Sequence, residues 1–269
     1  MKSYLKTILR KDYLLFKKYK LQMVLTYFSI FLYLFALYNI SKAIQPNNEA
    51  TDLFLKNPFI FLLTGYMVID LTITIINVLS AQITFYQTSG MIEEIISIDR
   101  LNLFFLSSYF FPCILWFFRN IFYILISYVF FDLQIVLNLG LVEIFTIFLL
   151  LILYTFILLG VSFLACSLTI IFKKGNPIII IFIASTTILS GALYPTDVLP
   201  TALQHIAEFI PAYELLTIIR GTIFNSFSNE YIFGLTKLII YAPLFFIVGL
   251  ILINYSIRYI KKTGKGYTY

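Results

Sequence analysis

The sequence is poor in charge, in histidine and in cysteine. Of its 269 residues 61% are hydrophobic and only 12% are charged. A soluble surface carries about 25–35% charged residues, so a soluble globular domain is excluded. His205 is the only histidine, which leaves no His/Cys metal cluster. Cys113 and Cys166 both lie inside long apolar runs and read as buried small hydrophobes, not as a disulfide or a metal pair. No Gly-x-x-x-x-Gly-Lys-Ser/Thr phosphate loop is present, and Gly264-Lys265-Gly266 does not make one, so the chain is not expected to hydrolyse ATP itself. The apolar stretch after the charged N-terminus has no small-residue cleavage signal and reads as a retained membrane helix, not a signal peptide.

What is abundant is long apolar sequence. Spanning a hydrocarbon core takes about 20 apolar residues in a helix, and six stretches qualify: 22–40, 59–85, 104–131, 141–171, 176–193 and 236–257. Stretches two to four exceed the minimum and are expected to tilt, kink or project from the membrane. Their apolar runs are continuous, not alternating, which argues against strands. The net charge of +6 does not indicate nucleic acid, because its basic residues cluster at the chain ends and in two short spacers. With six spans, fourteen Lys and Arg fall on the side of both termini, against Lys42, Lys56, Arg220 and Lys237 on the other. The positive-inside rule then predicts cytoplasmic termini.

Residues 1–21 place Tyr4, Leu5, Ile8, Leu9, Tyr13 and Phe16 near helical spacing among Arg10, Lys11, Lys17 and other cations. That pattern predicts an amphipathic helix in the cytoplasmic interface, the alternative being a solvated basic leader. Two charges fall inside predicted spans. Asp70 is 11 residues from the external start of its stretch and Arg119 is 12 from the external end of its own, so their depths differ by only a few ångströms. Neither suits lipid. They are expected to pair across adjacent helices or to line a transport path, the alternative being a packing lock without contact to substrate.

Two segments interrupt the apolar pattern. Residues 86–100 include Gln87-Thr88-Ser89-Gly90-Met91-Ile92-Glu93-Glu94-Ile95-Ile96. Gly90 is placed to end one helix, with Glu93 and Glu94 in the first turn of the next and Ile92, Ile95 and Ile96 forming an apolar face. Residues 194–235 follow Ser190-Gly191 and contain Pro195, Pro200, Pro211 and Arg220. Gly191 and these prolines break any continuous helix, and Asp197 is expected to cap a short helix through Leu203, Ile206 and Phe209.

The order of elements and these two segments resemble the ABC-2 type permease family, across nearly the whole chain. Gly90, Glu93 and Ile96 match the glycine, acid and aliphatic positions of the family's Gly-Thr-Leu-Glu-x-Leu-Leu segment. Met91 stands where the family has Thr, and Ser97-Ile98-Asp99-Arg100 replaces the proline that often follows. Residues 190–200, with Pro211 and Arg220, are similar to its Ser-Gly-x-x-x-Pro-x-x-x-Leu-Pro … Pro … Arg signature. The resemblance implies a single all-α integral membrane domain over 1–269. It has six transmembrane helices, an N-terminal amphipathic interfacial helix and an external re-entrant helical hairpin between helices 5 and 6.

The resemblance also implies a transport subunit in the cell membrane that binds no cofactor and no metal. ATP and Mg would act in a partner ATPase docked at Gly90, Ile92, Glu93, Glu94 and Ile96, and at the leader. A second permease copy, or a similar chain, would complete the path through the lipid bilayer. The Gly-x-x-Glu segment is more like the drug, antibiotic and lipid branch than the polysaccharide branch, which stays as the alternative. An ion-coupled carrier built on Asp70, or a polytopic membrane enzyme, are rivals from other classes. The enzyme lacks the clustered acids, histidines or nucleophile–base pair it would need.

Overall fold

The computed structural model describes residues 10, 14, 18, 20–44, 53–91, 94, 101–131, 139–172, 176–224 and 230–263. Among them every regular element is a helix: α1 (Lys20–Ala43), α2 (Leu53–Lys56), α3 (Pro58–Thr88), α4 (Leu101–Ser108), α5 (Phe110–Phe131), α6 (Leu141–Phe172), α7 (Asn176–Leu189), a 3-10 turn at Thr196–Val198, α8 (Thr201–Ala207), α9 (Pro211–Ile223) and α10 (Glu230–Thr263).

Among the described residues, five helices are long and apolar enough to cross a membrane: Val24–Ala43, Pro58–Thr88, Leu103–Phe131, Leu141–Phe172 and Tyr231–Lys262. The fifth stretch, expected to be helical over 176–193, is shorter. Helix α7 has 14 residues and stops at Leu189, about 21 Å of helix against a hydrocarbon core of about 30 Å. Its early end has a physical cause. Gly191 takes φ +73°, a left-handed conformation open to glycine at no steric cost.

The third stretch also departs from a single helix. It divides into α4 and α5 at Tyr109. Pro112 sits where its absent N–H would have bonded to Ser108, and its ring crowds that carbonyl. The helix resumes through Cys113 N–H, which donates to Tyr109 O at 3.0 Å. Helix α3 begins where its sequence directs. Pro58 occupies the first turn, and the Asn57 side chain accepts from Ile60 N–H at 3.2 Å.

Helix α3 is the core of the bundle. Its most apolar window is 72% buried, against 22–33% in the other candidate spans. One side packs with α6, α9 and α10 around Leu71, Ile75, Leu79, Leu150 and Ile157. The other meets α1 and α5 around Ile30, Leu34, Ile60, Leu63 and Tyr123. Hydroxyls and amides stitch these contacts where lipid would offer no partner. The Thr72 and Tyr154 hydroxyls bond at 2.8 Å, Ser162 Oγ donates to Ile76 O at 2.9 Å, and Gln87 Nε2 donates to Thr169 O at 3.4 Å. Helices α6 and α10 touch backbone to backbone at Gly160 and Gly249. Both are small residues of the kind that allows close crossing in membranes.

Candidate functional site

The segment after α3 is turned by hydrogen bonds local to the helix end. Met91 N–H donates to Tyr86 O at 3.0 Å and Gly90 N–H to Gln87 O at 3.3 Å. These two bonds are the Schellman closure, with Gly90 at φ +72° in the left-handed position. Helix α3 therefore ends at Thr88 and the chain leaves exposed at Gly90 and Met91. Glu94 is helical and exposed. Ile92, Glu93 and Ile96 lie outside the described residues, as do Lys11 and Lys17 of the leader. Arg10 is helical and exposed, as are Leu14 and Lys18.

The opposite end is organised by Arg220, which is only 5% exposed. Its Nη1 donates to Gly191 O at 2.8 Å, and its Nη2 to Phe61 O at 2.9 Å and Ala192 O at 3.2 Å. Nε reaches Thr64 Oγ1 at 3.3 Å, and the guanidinium lies 3.4 Å from the Phe61 ring centroid. One planar cation thus ties α9 to the terminated end of α7 and to the first turns of α3. The carbonyls left free where α7 stops carry the negative end of its dipole, which offsets the buried charge. Gly65 completes the joint: a Cβ there would fall 1.8 Å from Ala192 O.

Proline sets the path of the hairpin. Pro195 and Pro200 stand at the N-cap positions of the 3-10 turn and of α8, and Pro211 opens α9. The expected capping of α8 by Asp197 is not found. Pro200 occupies the cap position without a side-chain bond, and Asp197 sits inside the 3-10 turn. The link runs the other way, from Gln204 Nε2 to the carbonyls of Leu199 at 2.8 Å and Asp197 at 3.2 Å. His205 lies in the last turn of α8.

Asp70 and Arg119 meet. Arg119 Nη2 lies 2.8 Å from Asp70 Oδ2 and donates to Thr74 Oγ1 at 2.6 Å. The approach to Asp70 is an ion contact that makes no hydrogen bond with Oδ2, and Arg119 Nε is buried without a partner. Side-chain exposure is 22% for Arg119 and 15% for Asp70, so the pair is reachable from one side. Tyrosines surround it: the Tyr33 and Tyr66 rings stack at 4.2 Å, and Tyr66 meets Tyr123 edge-on at 5.5 Å. Neutralising either partner alone (Asp70→Asn or Arg119→Gln) is expected to cost about 2–3 kcal/mol by stranding the other charge. The exchange Asp70→Arg with Arg119→Asp should recover most of that loss in thermal unfolding. No recovery of either folding or transport in the exchanged protein would refute the pairing.

Sequence reasoning missed a second ion pair. Lys237 of α10 lies 2.5 Å from Glu214 of α9, whose side chain is buried, and rests over the Phe233 ring at 4.6 Å. It also missed Phe61, Thr64 and Gly65 as the seat of Arg220. Their one-turn spacing at the start of α3 is a signal only once the partner is known.

The sequence model of one family, described as ABC-2 type transporter, matches residues 3–224. No curated protein matches the chain. The match takes in α1 to α9, the first segment that breaks the apolar pattern and the second up to residue 224, and the chain's bundle of apolar helices is that of a membrane protein. The chain belongs to the ABC-2 type transporter family, as the membrane subunit of an ABC transporter.

Proposed function

We propose that this subunit is the permease of an ATP-driven exporter. It moves an amphipathic small molecule, antibiotic, peptide or lipid out of the cytoplasm or the inner leaflet. Family membership over residues 3–224 is the observation that carries this reading. The chain sits in the cell membrane with both termini cytoplasmic, which the distribution of Lys and Arg supports. Counting α7 as a short fifth span brings the spans to six. The hairpin of α8 and α9 then re-enters at the external face, supported by the prolines that start each piece and by the clamp of Arg220.

A second permease copy completes the path, and two ATPase subunits bind below it. ATP and Mg act in those subunits, because this sequence has no phosphate loop of its own. They dock on the segment that leaves α3 at Gly90 and on the basic leader. Closure of the ATPases moves this segment, and α3 passes the movement to the core because it is the most buried span.

Co-purification tests the docking. Replacing Glu93, Glu94 and Ile96 together should lower recovery of the ATPase by about tenfold, the effect of losing a few interface anchors. The permease itself should still reach the membrane. Undiminished recovery rejects the docking segment. Transport into inverted vesicles should require ATP and stop without the partner, whereas transport driven by a proton or sodium gradient alone rejects the exporter.

A further inference from the structure

The open side of α3 carries a polar strip beside the exposed Ile73. Tyr66, Asp70, Thr74 and Asn77 recur at helical spacing and are all partly exposed, whereas Leu71, Ile75, Ile76 and Leu79 are buried. The ion pair within the strip does not suit hydrocarbon, so a polar occupant fits it better than lipid chains.

The ion pair in the strip has unused capacity. Arg119 engages Asp70 and Thr74 through Nη2 alone. A guanidinium carries five N–H donors, and here Nη1 makes no hydrogen bond among the described residues and is not buried, whereas Nε is unpartnered but buried. Asp70 Oδ2, which faces Arg119, is likewise buried, and this leaves Oδ1 as the open oxygen of the carboxylate. An incoming anionic oxygen would therefore find Nη1, and an incoming cation would find Oδ1.

Charge balance narrows the occupant. Asp70 and Arg119 are neutral together, so a ligand with net charge would leave one charge unbalanced at membrane depth, at a cost of about 2.5 kcal/mol or more. A zwitterion leaves none. Its anion faces Arg119, while its cation faces Asp70 and the neighbouring rings of Tyr33 and Tyr66, whose π faces attract cations. One helical turn from each charged residue, Met67 and Trp116 line an apolar cavity of about 140 Å³, with Leu63, Val68, Ile147 and Leu151. That cavity accepts a short run of methylenes and no charge.

We propose that the strip and the cavity bind an amphiphile with a zwitterionic head: a phosphate or carboxylate on Arg119, an ammonium on Asp70, and an apolar chain against Met67 and Trp116. The proposal rests on the exporter reading for the ligand's direction of travel, but not for its binding.

Trp116 is the only tryptophan and serves as the reporter. The full chain, in nanodiscs of phosphatidylglycerol, is titrated without ATP with lysophosphatidylcholine bearing a nitroxide on its choline. Quenching of Trp116 should saturate. Unlabelled lysophosphatidylcholine should compete at concentrations about tenfold lower than lysophosphatidylglycerol or an alkyltrimethylammonium of equal chain length, one unbalanced charge being worth at least that factor. Asp70→Asn should erase the preference over the lysophosphatidylglycerol anion, and Arg119→Gln the preference over the cation. Free phosphocholine competing as well as the lysolipid keeps the zwitterion site but assigns it to a soluble ligand, against the apolar chain. Linear unsaturable quenching, or equal competition by all three heads in the parent protein, overturns the proposal even if both variants fail to fold. Saturable, head-selective binding by a chain whose complex shows no ATP-driven transport keeps this site and rejects the exporter. ATP-driven transport without head selectivity does the reverse.

Discussion

Replacing Arg220 by methionine will release the external end of the bundle. The side chain is buried and donates to three backbone carbonyls and one hydroxyl, drawn from Gly191, Ala192, Phe61 and Thr64. Methionine retains apolar volume but leaves those buried acceptors without donors. Each charge-assisted bond contributes about 1.5–3 kcal/mol, and an orphaned buried acceptor costs about 1–3 kcal/mol, so the expected loss is at least about 3 kcal/mol. Arg220→Lys should fall between the parent and methionine, because an ammonium keeps the charge but cannot span oxygens on two helices as a planar fork does. Gly65→Ala attacks the same joint from the other side, since its new methyl would strike the Ala192 carbonyl. Thermal unfolding of the purified chain, followed by size-exclusion recovery, reads all three. An Arg220→Met protein melting within about 2 °C of the parent would mean that the clamp holds little.

Gly160→Ala and Gly249→Ala are expected to part α6 from α10. A methyl on Gly160 would lie 2.3 Å from the Phe245 backbone, and one on Gly249 2.4 Å from Gly160 O. Neither neighbour is a side chain that can turn aside, so the helices themselves must separate. Overpacking costs about 1–3 kcal/mol where side chains can adjust, and the upper part of that range is expected here. The double variant should cost clearly less than the sum, because one separation admits both methyls. Gly140→Ala is the control. Its Cβ would meet only the tip of the Glu143 side chain, which can swing away, so its melting temperature should match the parent. Additive losses in the double variant would show that the two glycines do not share one crossing.

Much of the fold was legible because hydrophobicity sums locally. The long apolar runs predicted membrane helices, and the helix starts at Pro58 and Pro211 and the end at Gly90 are written in residues beside them. Other features misled. The apolar run through Ser190–Leu193 read as the last turn of a span, whereas α7 has already ended, and the carbonyls of Gly191 and Ala192 just beyond it are bonded by an arginine from elsewhere. Asp197 had the right chemistry for a cap, but Pro200 holds that position. Depth counting set Asp70 and Arg119 at similar levels without saying which way either side chain turns. Their contact, and the tyrosines around it, depend on how α3, α5 and α1 rotate against one another.

A helical membrane subunit could be read from the order of residues alone, and the two interrupting segments carried the family. Those properties follow from short-range physics: the transfer of apolar side chains to lipid, and backbone hydrogen bonds closed within each helix. It took the packed helices to show where the fifth apolar stretch stops, what Arg220 holds, and that the charges on α3 and α5 meet as a partly exposed ion pair. The acceptors of Arg220 include Phe61 and Thr64, 159 and 156 residues away in the chain. Separations of that size are closed by packing, which no local pattern encodes.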